Sequence, residues 1–556
     1  MYFIKRALSC AGLILLSFNI KAAEVASFYG FTYTGKDAVF EAPLAKGEYQ
    51  NPILAGFYPD PSITRAGDDY YLVNSSFSYS PGVPIFHSKD LIHWESLGHI
   101  LLTPKQLPLY KQQVSRGIYA PTLRYHEGVF YLITTQVDVR GNFIVTATNP
   151  AGPWSDPIEL PEVGGIDPDI FFDDDGHVYI IHNDNPIGEP LYQGHRAIWQ
   201  WEYDLKTQKI IKGSGHVIVN GGSDINKKPV WIEGPHIYKI NGWYYLMCAE
   251  GGTSVDHSEV IFRTRSLKEP FTAYEGNPIL TQRDLNPKRT APITTTGHAD
   301  LVQTKEGEWW SVFLGTRSYD EKYFNTGRET FLLPVTWKNE WPVILNKGAE
   351  VPYRLPIPRT THITVATPTT GNFVWRDNFT THQLRPEWNT LGTVEAPWYR
   401  LQKNHLDLIP SNNRLSDLAQ PSFIGRRQQH MRFDANTKLQ LPKSEHISAG
   451  IAIFQNEKAN YYFAVKKMAT QYQLFVEQTN KAAPTITAST TLSTHEIPEK
   501  IVLGMTGDAG KITFYYQNRA GKRINILQDM DAKMLSTEVA GGFVGTYIGM
   551  HTRIEP

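Results

Sequence analysis

Cysteine is nearly missing from this 556-residue chain, which has two, Cys10 and Cys248. Cys10 lies in an apolar N-terminal stretch with the features of a leader, so the mature chain is expected to keep one thiol. A single thiol cannot form an intramolecular disulfide, and stability must come from the size of the core. Neither sign of charge dominates, with 54 Lys and Arg against 55 Asp and Glu. There is no concentrated basic stripe, and together these exclude a nucleic-acid binder. The longest apolar run, Ala7–Ile20, is interrupted by Ser17 and Asn19 and is too short for a membrane span. No His-Glu-x-x-His zinc helix, phosphate-binding Walker loop or Gly-x-Ser-x-Gly elbow occurs. Long amphipathic helices are lacking too, which argues against a bundle or coiled coil.

Aromatic residues, by contrast, are plentiful, with 13 Trp, 29 Tyr and 26 Phe. Such side chains suit a pleated, half-buried surface and favour β-structure. At the N-terminus, Lys5 and Arg6 precede the apolar run, and the small pair Ala22-Ala23 follows it. This pattern predicts a signal peptide over residues 1–23 and export to the periplasm or the medium.

A repeat organises the next 300 or so residues. Five segments begin at a polar turn and continue as paired aromatic or apolar residues: Asp69-Tyr70-Tyr71-Leu72, Val129-Phe130-Tyr131-Leu132, Val178-Tyr179-Ile180-Ile181, Trp243-Tyr244-Tyr245-Leu246 and Trp309-Trp310-Ser311-Val312. Their anchors, from Tyr71 to Trp310, are 60, 48, 66 and 65 residues apart. Further short β-like runs lie between, such as Val83-Pro84-Ile85-Phe86 and Ala197-Ile198-Trp199-Gln200-Trp201. Units of this length with about four strands each are propeller blades. The fold class is therefore all-β, a five-bladed β-propeller over residues 24–350. A Pro- and Thr-rich linker is expected at 351–371, followed by a β-sandwich at 372–556 in which nothing resembles a catalytic motif.

Counting back 11 or 12 residues from each anchor gives Asp60, Ala120, Asp167, Glu233 and His298. In a propeller these positions form one ring at one mouth of the central channel. Each acid alone reads equally well as a turn residue. Three unrelated turn acids, however, have no reason to share one phase of a fivefold repeat. Cleavage of a glycosidic bond needs an acid to protonate the leaving oxygen and a carboxylate to activate water or attack carbon, and a third acid can tune the first. Glu233, flanked by Trp231 and Ile232, is placed to resist ionisation. His298 is either a structural histidine or the holder of an ion or water in the channel. Asp173-Asp174-Asp175-Gly176 lacks EF-hand spacing and is expected to be a hairpin turn.

The segments Asn51-Pro52-Ile53-Leu54-Ala55-Gly56-Phe57-Tyr58-Pro59-Asp60-Pro61-Ser62, Pro81-Gly82-Val83-Pro84-Ile85-Phe86-His87-Ser88-Lys89-Asp90-Leu91, Glu233-Gly234-Pro235-His236 and Gly327-Arg328-Glu329-Thr330 occur in this order. With them the chain resembles glycoside hydrolase family 43 over roughly residues 50–345. Its tail, including Gly425-Arg426-Arg427-Gln428-Gln429-His430, is similar to the β-sandwich of the β-xylosidase and α-L-arabinofuranosidase branch. The resemblance implies an inverting exo-hydrolase, with Asp60 as general base, Glu233 as general acid and Asp167 as the residue that raises and orients the acid. It also implies that Phe77 and Tyr119 flank the terminal sugar, that Arg328 contacts sugar hydroxyls, and that His298 lies beside a channel ion or water. Trp is frequent in related β-xylosidases where this chain has Tyr119, so the choice between arabinose and xylose stays open. The implied substrates are plant cell-wall pentose oligosaccharides derived from xylan or arabinoxylan. No cofactor is required, and a structural Ca2+ in the channel is the one candidate ion. An endo-arabinanase and a non-catalytic carbohydrate-binding propeller are the alternatives.

Overall fold

The computed structural model describes residues 24–358 and 367–555. The predicted signal peptide and the middle of the predicted linker lie outside these residues. Helix is confined to three 3-10 turns and the four-residue helix Thr537–Ala540 among the described residues.

Five antiparallel sheets form the propeller. The first blade comprises Ser62–Ala66, Asp69–Val73, Gly82–Ser88 and Glu95–Leu101. The innermost strands of the next four are Ile118–His126, Ile166–Phe172, Glu233–Ile240 and Ile293–Gln303. Each is followed by the aromatic-anchored strand that the repeat marked, for example Val129–Gln136 and Trp243–Glu250. Tight turns join these pairs. At Glu127-Gly128 and Asn241-Gly242 both residues are left-handed, with φ of 46° and 85°, and 51° and 75°, the geometry that matches the twist of a hairpin. Asp173-Asp174-Asp175-Gly176 is a hairpin turn as expected, with Asp175 Oδ1 accepting from the His177 amide at 3.0 Å.

The fifth blade has three strands of its own, and chain that precedes the first blade completes it. The amides of Ile53 and Leu54 donate to Thr330 O at 2.9 and 3.2 Å, and Asn51 brackets Leu332 with two 2.9 Å hydrogen bonds. Non-covalent pairing thus closes the ring. Side chains fill the channel below its mouth. The Arg124 guanidinium lies 3.0 Å from Asp169 and 2.8 Å from Asp300, and Tyr238 Oη donates to Asp300 at 2.6 Å.

The second domain is two packed eight-stranded sheets. Here the structure moves the predicted boundaries. Ala26–Gly35, expected in the propeller, is a central strand of the sandwich and pairs with Arg432–Gln440, Val374–Asp377 and His405–Leu408. Its apolar residues Phe28, Phe31 and Tyr33 are at most 1% exposed within the sandwich core, so burial decides where the strand sits. The predicted linker carries structure as well, since Arg354–Pro356 pairs with Glu48–Gln50. Tyr79–Ser80, from a first-blade loop, extends the edge of the other sandwich sheet. Phe57, Phe77 and Tyr79 of the propeller share one apolar cluster with Phe423, Phe454 and Tyr547 of the sandwich. Arg317, 1% exposed, pins the junction by donating to Glu329 (2.7 Å), Asp37 (2.6 Å) and Gln429 O (2.8 Å).

Candidate active site

The mouth of the channel opens into a cavity of about 440 Å³ lined by Asp60, Asp167, Glu233, His298, Arg328, Phe77 and Tyr119, every residue that the sequence singled out for the site. The ring is built by a recurring backbone device. Asp60, Ala120, Asp167, Gly234 and His298 all have left-handed φ, of 50°, 24°, 56°, 56° and 52°. Each lies four residues before the partner of its blade's aromatic anchor: Thr64↔Tyr71, Arg124↔Tyr131, Phe171↔Tyr179, Tyr238↔Tyr245 and Val302↔Trp310. Non-glycine residues in this region are strained, and such strain gathers at functional sites.

One correction follows. The fourth blade's member of this ring is Gly234, and Glu233 stands one residue upstream, in phase with Tyr119. A Cβ on Gly234 would meet the His298 ring at 3.0 Å. The ring position is therefore occupied by His298 from the neighbouring blade, and the glutamate enters from the preceding residue of the same strand.

Burial and charge give the three acids different protonation. Burial raises the Asp60 carboxyl, but Arg328, His298 and a 2.6 Å hydrogen bond from Ser75 outweigh it and hold it below the usual range. Arg328 Nη1 donates directly to Asp60 Oδ1. Asp167 is pushed up to about 7, first by burial and then by the charge of Asp60, although the Gly234 amide donates to it at 3.2 Å. Glu233 is raised well above the ordinary value by burial, then by Asp167 and Asp60. The site thus sets a carboxylate held towards its ionised form beside a carboxylic acid held towards its protonated form. His298 is lowered to about 4 by burial and is uncharged at neutral pH.

For the candidate calcium ion of the channel, the described residues offer few uncommitted protein oxygens. Such a cation takes six to eight oxygens. Asp60 is engaged by Arg328 and Ser75, while Asp169 and Asp300 are engaged by Arg124. Among the described residues no group of three or more His, Cys, Asp or Glu could hold a metal ion.

The walls contain residues that sequence reasoning missed. Phe543, from the sandwich, stands 6.4 Å from Phe77 and 6.2 Å from Tyr119 between ring centroids, and Phe77 is 4.9 Å from Tyr119. The loop is anchored by Phe543 N donating to Ser115 Oγ (3.0 Å) and by Arg328 Nη2 donating to Phe543 O (3.2 Å). Nothing local in the sequence signals this contribution, since it depends on how the second domain docks. Arg116, Arg196, Trp231 and Thr253 also line it, with Val137, Ile166 and Gly252. Trp231, two residues before Glu233, was visible in the sequence only as an apolar neighbour of the acid.

A propeller whose channel mouth pairs an ionised carboxylate with a protonated acid, in a pocket walled by aromatic rings at one end, has the architecture of a glycoside hydrolase. The family model "Glycosyl hydrolases family 43" matches residues 49–342, and "Beta xylosidase C-terminal Concanavalin A-like domain" matches residues 376–553. The chain belongs to glycosyl hydrolases family 43. It is 40% identical over 90% of its length to a xylosidase/arabinosidase of Butyrivibrio fibrisolvens, covering 95% of that protein. It is 37% identical over 91% of its length to a non-reducing end alpha-L-arabinofuranosidase of Bacteroides ovatus, covering 92% of it. A crystal structure of a GH43_12 protein retrieved from capybara gut metagenome superimposes with a TM-score of 0.90 at 41% identity, over 96% of this chain and all of that one.

Proposed function

We propose that the protein is an inverting, exo-acting pentosidase that releases arabinose or xylose from the non-reducing ends of xylan- or arabinoxylan-derived oligosaccharides. The arrangement that carries this reading is one pocket in which Arg328 donates to Asp60 while Glu233 lies buried with Asp167, burial and that neighbour pushing its carboxyl towards the protonated form. In this reading Asp60 takes a proton from water beneath the anomeric carbon while Glu233 donates its proton to the departing oxygen. Asp167, buried beside Glu233, keeps that proton bound until transfer. Both events belong to one displacement, so configuration inverts. Phe77, Tyr119 and Arg328 would hold the terminal sugar, and Phe543 closes the pocket behind it. That closure favours exo over endo cleavage. The names of the two relatives support a pentose substrate and leave arabinose and xylose equally open. The sequence of residues 1–23 supports export.

Hydrolysis of nitrophenyl α-L-arabinofuranoside and β-D-xylopyranoside tests the reading. Glu233→Ala is expected to lose about 10²- to 10⁴-fold in kcat/KM, the worth of a positioned general acid, and the wild-type rate ratio names the pentose. Release of oligomers from linear arabinan without cleavage of either glycoside would replace the exo reading with an endo one. Binding of xylan fragments without any cleavage would leave a binding module.

A further inference from the structure

Three arginines line the cavity, and two are matched to carboxylates. Arg328 pairs with Asp60, and Arg116 pairs with Asp138 through two 2.5 Å hydrogen bonds. Arg196 makes no ion pair among the described residues. One of its Nη atoms donates to Asn185 Oδ1, and its Nε is buried without a partner. Its guanidinium lies over the Trp231 ring, 4.1 Å from the centroid. Burial pushes its pKa down, with Asp184, Glu233 and Asp167 pulling back. A half-buried cation held without a direct ion pair is unfavourable unless something else meets its donors.

Position shows what that something is. Arg328 donates to Asp60 and to Phe543 O and lies over the Phe77 ring, 5.6 Å from its centroid, whereas Trp231 N donates to Gly194 O at 2.8 Å and so sets Arg196 beside the segment that leads into Glu233. The pocket is therefore divided. Asp60, Arg328, Phe77, Tyr119 and Phe543 form one side, and Arg196 lies with Trp231 on the side of the acid. Glu233 must face the departing oxygen, so the sugar attached through that oxygen lies towards Arg196. The contact with the indole and the hydrogen bond to Asn185 position the guanidinium, and a positioned fork of N–H donors suits the hydroxyls and ring oxygen of a sugar.

We propose that Arg196, laid on Trp231, forms the subsite for the leaving-group sugar and gives the enzyme its preference for a glycosyl over a non-sugar leaving group. The inference rests on the pentosidase reading above and adds a specificity-determining residue to it.

The test uses the pentose that the wild type prefers: for xylose it compares β-1,4-xylobiose with nitrophenyl β-D-xylopyranoside, and for arabinose an arabinofuranosyl-xylose disaccharide and arabinose replace xylobiose and xylose throughout, with nitrophenyl α-L-arabinofuranoside as the second substrate. In Arg196→Ala, kcat/KM for the disaccharide is expected to fall about ten- to hundredfold more than for the nitrophenyl glycoside, the worth of one or two hydrogen bonds from a charged donor. Arg196→Lys keeps the charge without the fork and should stay defective on the disaccharide. Equal losses on both substrates with a shifted pH profile would mean that Arg196 acts only through Glu233, and would overturn the subsite. Full rescue by Lys, or no loss on either substrate, would do the same. Calorimetry on Glu233→Gln protein separates the failure of this inference from that of the pentosidase reading, because it needs no turnover. Xylobiose should bind more tightly than xylose there, and Arg196→Ala should abolish the difference. Xylobiose affinity that is absent, or indifferent to Arg196, overturns the proposal even where hydrolysis is intact.

Discussion

A carboxylate is useful as a base only while it stays ionised, and here that depends on Arg328. Removing the cation leaves Asp60 with the burial that disfavours its charge. Arg328→Met is therefore expected to move the acid limb of the kcat/KM profile to higher pH. The sign is fixed: Arg328 stabilises the ionised form, so its loss means protons leave Asp60 only at higher pH. The alkaline limb belongs to Glu233 and Asp167, both already raised by burial and by Asp60, Glu233 by Asp167 as well, and the same substitution moves it upward, because Arg328 also lowers both of these groups. A full pH series on the nitrophenyl substrate checks both limbs. At this scale the sequence was informative because five blades impose one phase, and acids that share it stand out. It misplaced Glu233 by one residue because the true ring position is Gly234, a residue with no side chain to reveal it. Arg196 and Phe543 were invisible, since their neighbours in space lie on other blades or in the other domain.

The strands could be read where aromatic pairs follow a tight turn, and Gly82–Ser88 and Ala197–Asp204 fall where short β-like runs were seen. What could not be read was the partner of Ala26–Gly35, because alternation shows that a strand has a face to bury and not which sheet buries it. The loop that carries Phe543 shows how one element sets the shape of the pocket. Gly542 has φ of 80°, and a Cβ there would lie 2.2 Å from Ser115 Oγ, the atom that anchors Phe543 N. Gly542→Ala should cost the loop about 1–2 kcal/mol in its present conformation and withdraw Phe543 from the wall. KM is expected to rise more than kcat falls, and chromatography of xylo-oligosaccharide digests should show products longer than one sugar.

For the whole molecule, the cluster and ion pairs shared by propeller and sandwich predict that the two architectures unfold as one unit. Arg317 joins the fifth blade, the segment at Asp37 and the sandwich, with two buried carboxylates depending on it. Arg317→Met leaves those charges unpaired and should lower stability by about 3–5 kcal/mol. Urea unfolding followed separately by Trp fluorescence and far-ultraviolet circular dichroism is expected to show one shared transition at a lower midpoint. Independent transitions for the two domains would contradict the joint unit. No predicted boundary anticipated this, because sequence divides a chain by composition whereas the fold joins segments some 400 residues apart.

The strand at Ala26–Gly35 also has a consequence in time. Its main partner, Arg432–Gln440, is made about 400 residues later, which at 5–20 residues per second is a delay of about 20 to 80 seconds. Throughout that interval the ribosome has delivered a strand whose sheet does not yet exist, with Phe28, Phe31 and Tyr33 awaiting cover. This strand, made early, is thus among the last to be covered.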